Sequence, residues 1–131
     1  MRSPGGTAFD LHGPEGAPCV ALVHGLGLTR AVWELTIPVL AGRYRVLAYD
    51  MLGHGETAHP GVTPTLPLLS AQLAALLDHC GIGGAAIVGF SLGGMIARRF
   101  AQDHADRTLA LAVLLRLSVA RTRRRRPSWP A

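Results

Sequence analysis

No lysine occurs in this 131-residue chain, so all 13 basic side chains are arginine. Six of them (Arg116, Arg121, Arg123, Arg124, Arg125 and Arg126) crowd the last 16 residues, which contain no acid. The rest of the chain holds seven arginines against eight carboxylates, so the net charge of +5 belongs to a tail and the body is close to neutral. Charged residues are scarce at 16% and hydrophobic ones abundant at 49%, a balance too apolar for a disordered chain. Even so, no run approaches the ~18 unbroken apolar residues of a membrane span. The opening Met1-Arg2-Ser3-Pro4-Gly5-Gly6 leads into no apolar segment of the signal-peptide kind, and a cytoplasmic protein is expected. Cysteine is equally sparse. Cys19 opens a strand-like run and Cys80 ends a helix-like one, so both read as buried free thiols rather than a disulfide framework.

What the chain does have is a regular alternation of apolar segments. A peripheral strand and hairpin loop are expected from Gly6 through Pro18, then a compact apolar strand at Cys19–Val23. Thr29 caps an expected helix from about Arg30 to Leu40, with Val32, Trp33, Ile37 and Leu40 as its buried side and Pro38 weakening its last turn. A strand at Tyr44–Tyr49 precedes a long Gly/Pro-containing loop from Met51 to Pro64. Leu66, Leu69, Leu73, Leu76, Leu77 and Cys80 recur at helical spacing up to Gly81. A strand at Ala85–Val88 runs into a helix that turns Leu92, Met95, Ile96 and Phe100 inward, and Thr108–Leu115 is a last strand, apolar without alternation. Strands that read as buried on both faces and alternate with helices specify an α/β fold with a parallel sheet.

Three loops at strand ends carry chemistry. In Gly89-Phe90-Ser91-Leu92-Gly93 a serine stands between two glycines at a strand-to-helix junction. Such a turn forces strained backbone angles on the serine, needs glycine on either side, and aims the helix dipole at the reacting oxygen. His24-Gly25-Leu26-Gly27 closes an earlier strand. Acyl transfer needs two backbone N–H groups for the developing oxyanion; Leu92 and Leu26 are the candidates, while His24 is read as bracing its own loop. The third loop is Asp50-Met51-Leu52-Gly53-His54-Gly55-Glu56-Thr57.

HGLG, DMLGHGET and GFSLGG, in that order, resemble the α/β-hydrolase superfamily in its esterase, lactonase, haloperoxidase-like and C–C hydrolase branch, over about residues 7–115. The resemblance implies a three-layer α/β-hydrolase fold whose sheet here is incomplete, lacking its C-terminal strands. It implies Ser91 as nucleophile and the N–H groups of Leu92 and Leu26 as oxyanion hole. Asp50, His54 and Gly55 match a loop that is chiefly structural in the family, so Asp50 is not the triad acid; Thr57 stands where serine is more common. The substrate would be a small ester, lactone or similar molecule. No metal or organic cofactor is implied, and no membrane partner.

Two departures qualify that expectation. The family orders its triad Ser, acid, His, and after Ser91 this chain offers only Asp103, His104 and Asp106, all at the far end of the following helix. Triad acid and base are therefore expected to be absent from this chain, leaving it a poor catalyst. Residues 116–131, set apart from a core at 1–115, read as a disordered or frameshift-derived tail, since shifted frames of GC-rich genes are rich in Arg, Pro, Ser and Ala. Two other functions stay open: a non-catalytic remnant or binding module that keeps the pocket, and nucleic-acid association through the arginines, which salt-dependent DNA binding would reveal. The final strand, without further neighbours, would be an exposed apolar edge and a route to self-association or aggregation.

Overall fold

The computed structural model of the chain describes residues 1–115, so the arginine-rich segment 116–131 lies outside the described residues. Five strands form one sheet: β1 (Phe9–His12), β2 (Cys19–Val23), β3 (Arg45–Tyr49), β4 (Ala85–Phe90) and β5 (Thr108–Leu114), in the order β1-β3-β2-β4-β5. All neighbouring pairs are parallel except β1 with β3. β1 therefore pairs across the sheet with β3 rather than with β2, and the expected hairpin at Gly13–Pro18 is not formed. The α/β class and the mostly parallel sheet read from the sequence are present.

Two layers of different depth cover the sheet. On one face, α2 (Leu66–His79) and α3 (Leu92–Asp103) bury Leu69, Leu73, Leu76, Leu77, Ile96, Ala97 and Phe100 against Ala21, Val23, Leu47 and Ile87. Thr65 starts α2 by accepting from Leu68 N–H at 3.3 Å, with a proline in the first turn. On the other face, among the described residues, only a 3-10 turn (Arg30–Trp33) and the short α1 (Ile37–Leu40) pack against Val20, Leu22, Val46 and Ala48. The expected single helix over 30–40 is broken between these pieces. Pro38 has no N–H to continue an earlier turn, and its ring favours a fresh first turn at α1. Of the four residues expected to be buried there, Trp33 is, Ile37 and Leu40 are half-buried, and Val32 is exposed.

The thinner layer explains two further departures. β4 alternates between buried and half-buried residues instead of being buried throughout, because Ala86, Val88 and Phe90 face the lightly covered side. β5 is the sheet edge among the described residues, and most of it is exposed despite its apolar sequence. Met95, expected to face inward from α3, is 54% exposed, so that helix buries a narrower stripe. Phe100 is the largest side chain of α3 and is fully enclosed between α3 and the sheet. Phe100→Ala is expected to cost about 3–5 kcal/mol in chemical denaturation, through lost burial and the cavity left behind; a cost under about 1 kcal/mol would show that this layer is loosely packed.

Candidate active site

The parallel strands end level with one another, since Val23 pairs with Tyr49 on one side and Gly89 on the other. The loops that leave them start at a common edge, the position where open α/β sheets place their sites. Ser91 follows β4 there with φ 55° and ψ −118°, the one non-glycine residue with positive φ among those described. An L-residue held in that region stores strain of order 1–3 kcal/mol, which surrounding contacts must over-determine. They do. A Cβ on Gly89 would stand 2.1 Å from the Gly93 carbonyl oxygen, and one on Gly93 would stand 2.1 Å from that of Val23. The first turn of α3 is therefore pressed against the ends of β4 and β2, and only glycine admits the approach.

The same contact brings two loops together. A Cβ on Gly25 would lie 3.3 Å from Ser91 Cβ and 3.2 Å from the Phe90 carbonyl oxygen, so the His24–Gly27 loop runs directly beside the serine. Ser91 is exposed, and its hydroxyl makes no capping bond to α3. Its own N–H donates to Leu114 O at 2.8 Å. Within the neighbouring loop the Gly27 N–H donates to His54 Nε2 at 3.0 Å and the Leu28 N–H to Gly25 O at 3.1 Å. Leu26 N–H and Leu92 N–H find no acceptor among the described residues, Leu92 being the first residue of α3 and so without an intrahelical partner. Leu26 itself is 72% exposed.

Both histidines near this edge are committed elsewhere. His24 is fully buried; its Nε2 accepts from Met51 N–H at 3.0 Å, which leaves Nδ1 as the donor to Gly25 O at 2.8 Å. His54 uses Nε2 for Gly27 and faces Leu52 O with Nδ1 at 3.0 Å. Each ring ties one loop to another, and the two meet at a tilt of 53° with centroids 5.3 Å apart. Asp103 is engaged by Arg99 and by Ser70 Oγ, and His104 caps the C-terminus of α3, about 20 Å along the axis from Ser91.

Asp50 anchors the third loop. Its carboxylate, 1% exposed, accepts from the N–H groups of Arg30 and Glu56 and pairs with the Arg30 guanidinium, which also reaches Asp10 and Glu56. Burial alone would raise its pKa, but those N–H groups and the guanidinium together hold it below the usual carboxylate range. Gly55, at φ 52°, is compelled by the same carboxylate, because a Cβ there would fall 2.3 Å from it. Thr57 Oγ1 donates to Asp50 O at 2.9 Å and accepts from Ala8 N–H at 3.0 Å, so threonine serves this position fully. Arg30 and Gln72 were not singled out from the sequence. Gln72, which bonds Thr7, Asp50 O and Leu52 N–H, is with Ser70 one of two polar residues among the buried positions of α2. Arg30 carried no signal of its role. A cavity of about 680 Å³ on the described surface is lined by Asp10, Arg30, Asp50 and Glu56, and Ser91 is not part of its lining.

Known proteins with the same sequence pattern can be set against this geometry. A family model described as alpha/beta hydrolase fold matches residues 18–121. The chain belongs to that family. The match runs six residues past Leu115, into the stretch that composition alone sets apart. The chain is 39% identical over 106 residues to a dihydrolipoyllysine-residue acetyltransferase component of an acetoin cleaving system from Pseudomonas putida, covering 81% of this chain and 28% of that protein. It is 38% identical over 96 residues to a pimeloyl-[acyl-carrier protein] methyl ester esterase from Aeromonas hydrophila, covering 72% and 36%. The crystal structure of the enol-lactonase from Burkholderia xenovorans superposes with a TM-score of 0.76 at 31% identity, over 78% of this chain and 40% of that one. The chain thus spans about a third of the length of these curated relatives. No helix among the described residues is long and apolar enough to cross a membrane.

The His24 brace has a pH signature. Burial is the largest influence on the ring and lowers its pKa from 6.5, outweighing the Gly25 carbonyl, which raises it. The unfolded chain then binds the extra proton first, so the stability His24 contributes is complete above about pH 6.5 and is lost as pH falls from there through the depressed folded value. Urea denaturation at pH 7.5 and 5.5 is expected to show lower stability at 5.5, with the difference reduced in His24→Asn; an unchanged difference would place the titration elsewhere.

Proposed function

We propose that this chain is the nucleophile-bearing portion of a serine hydrolase that cleaves a carboxylic ester or lactone through an acyl-enzyme on Ser91. The observation that carries the reading is the strained, exposed Ser91 turn beside the His24–Gly27 loop, with Leu26 and Leu92 N–H both without acceptors among the described residues. In that mechanism Ser91 Oγ attacks the substrate carbonyl carbon and the carbonyl oxygen takes the negative charge, which the two N–H groups stabilise. The C–O bond to the leaving alcohol breaks as the alcohol gains a proton, and water then releases the acid. The esterase and enol-lactonase relatives support this substrate class.

The proton transfers need a base. His24 and His54 are committed to backbone groups, and His104 is at the wrong end of α3. Residues 116–131 contain neither histidine nor carboxylate. We therefore read the triad acid and base as missing from these 131 residues, and the chain alone as a poor catalyst. Triad members fail together, which leaves roughly 10³–10⁴-fold acceleration over water from oxyanion stabilisation and binding.

Prolonged treatment with a fluorophosphonate at high concentration, followed by peptide mapping, is expected to label Ser91 ahead of Ser3, Ser70, Ser118 and Ser128. Turnover of p-nitrophenyl acetate is expected to be no better than that of Ser91→Ala. Labelling spread evenly over the serines would favour a remnant that keeps the fold without the chemistry. Robust turnover abolished by Ser91→Ala would mean that another residue of this chain serves as base.

A further inference from the structure

We propose that Cys19 and Cys80 form a dithiol site that closes into an internal disulfide on meeting a low-molecular-weight disulfide such as oxidised glutathione. Strand alternation fixes where Cys19 points. It shares a face of β2 with Ala21 and Val23, which are buried under α2 and α3, and the register sets it between Arg45 of β3 and Ala85 of β4. Helical spacing places Cys80. Leu73, Leu76 and Leu77 carry the sheet-facing stripe of α2, and Cys80 continues it by one further turn at the C-cap.

The stripe of the helix and the first row of the strands therefore meet at one corner. Both cysteines line a cavity of about 400 Å³ there, and Cys80 packs against the cluster that holds Cys19. The chain from Cys80 to β4 is Gly81-Ile82-Gly83-Gly84, in which a Cβ on Gly81 or Gly83 would meet nothing within 4 Å among the described residues. That link can follow a small movement of the helix end. The two thiols also feel each other. Burial pushes the Cys19 thiol up to about 11 and Cys80 adds to the rise, while Arg45 opposes it. Burial raises Cys80 as well, against the same arginine. The pair is built from β2, β3, α2 and the start of β4 alone.

Unequal exposure orders the chemistry. Cys80 is half-buried and Cys19 is buried, so the reagent meets Cys80 first. The Cys80 thiolate attacks one sulfur of the incoming disulfide, whose S–S bond breaks and releases one glutathione thiolate. Cys19 then gives up its proton, attacks the Cys80 sulfur of the mixed disulfide and expels the second glutathione thiolate. The protein loses two electrons and two protons, and both are recovered on the two glutathione thiols. Raised thiol pKa values leave little thiolate at neutral pH, so the closure is slow. The bond would close a loop of about 60 residues that contains His24, Asp50 and His54 and leaves Ser91 outside. Oxidation thus restrains the framework around the serine without touching the serine turn.

Full-length protein equilibrated in glutathione redox buffers, acid-quenched and weighed reads closure as the loss of two hydrogens with no glutathione retained. The buffer ratio at half closure gives an effective concentration, expected to be at least roughly tenfold higher in the native chain than in urea, because the fold holds the two sulfurs together. The closed protein is expected to melt roughly 5–15 °C above the reduced form. Cys19→Ala should stop at the mixed disulfide on Cys80, and Cys80→Ser should take up glutathione far more slowly. Should either variant fail to fold, the comparison of native and urea-unfolded chains decides, since it needs no substitution. An effective concentration no higher in the native chain than in urea, a closed form that melts below the reduced one, or lasting glutathione on both cysteines would overturn the proposal.

Discussion

The approach of the first turn of α3 to the ends of β2 and β4 is the contact on which the rest of the site depends. Gly93 lies where any side chain would strike the carbonyls of Val23 and His24, and Gly89 where it would strike Gly93. The closeness leaves the chain between them no relaxed way to turn, and Ser91 absorbs the difference at φ 55°. A single steric fact thus sets the exposure of the serine, the orientation of α3 and the nearness of the Gly25 loop. Relief of the crowding would let Ser91 fall back to ordinary angles and draw its hydroxyl into the helix cap.

A second, polar framework keeps the neighbouring loops from closing over that turn. His24 links the β2 end to Met51, His54 links the Asp50 loop back to Gly27, and Asp50 gathers Arg30 and Glu56 around a buried carboxylate. These bonds are made almost wholly between side chains and backbone N–H groups. They spend the donors of Gly27, Arg30, Met51 and Glu56, which leaves Leu26 and Leu92 as donors at the serine edge. The accounting makes the family's loop residues intelligible as scaffolding, and it is why we place neither His24 nor Asp50 in the proton-transfer chemistry.

Much of this was legible before the structure because glycine positions report close approaches directly. Gly89, Gly93 and Gly25 mark the places where backbone meets backbone, and the strand at Cys19–Val23 announces itself by being apolar without alternation. Other features were hidden because they depend on partners distant in sequence. β1 pairs with β3 through a register that no local pattern encodes, so the turn-rich Gly13–Pro18 reads as a hairpin. Helical periodicity over 30–40 could not show that Pro38 would break the helix in two, nor that the face it covers would stay thinly protected. Arg30, bound to three carboxylates from two distant segments, looks from the sequence like any exposed helix-start arginine.

The central claim is that the strained turn presents Ser91 to a pair of backbone donors, one on each side. The most direct measurement is the amide NMR spectrum of the chain before and after a small fluorophosphonate has been attached to Ser91, whose phosphonyl oxygen stands in for the oxyanion. The N–H resonances of Leu26 and Leu92 should move downfield more than those of Gly27 and Leu28, whose protons are already bonded to His54 and Gly25. Downfield shifts confined to other amides, with Leu26 and Leu92 unmoved, would contradict the account.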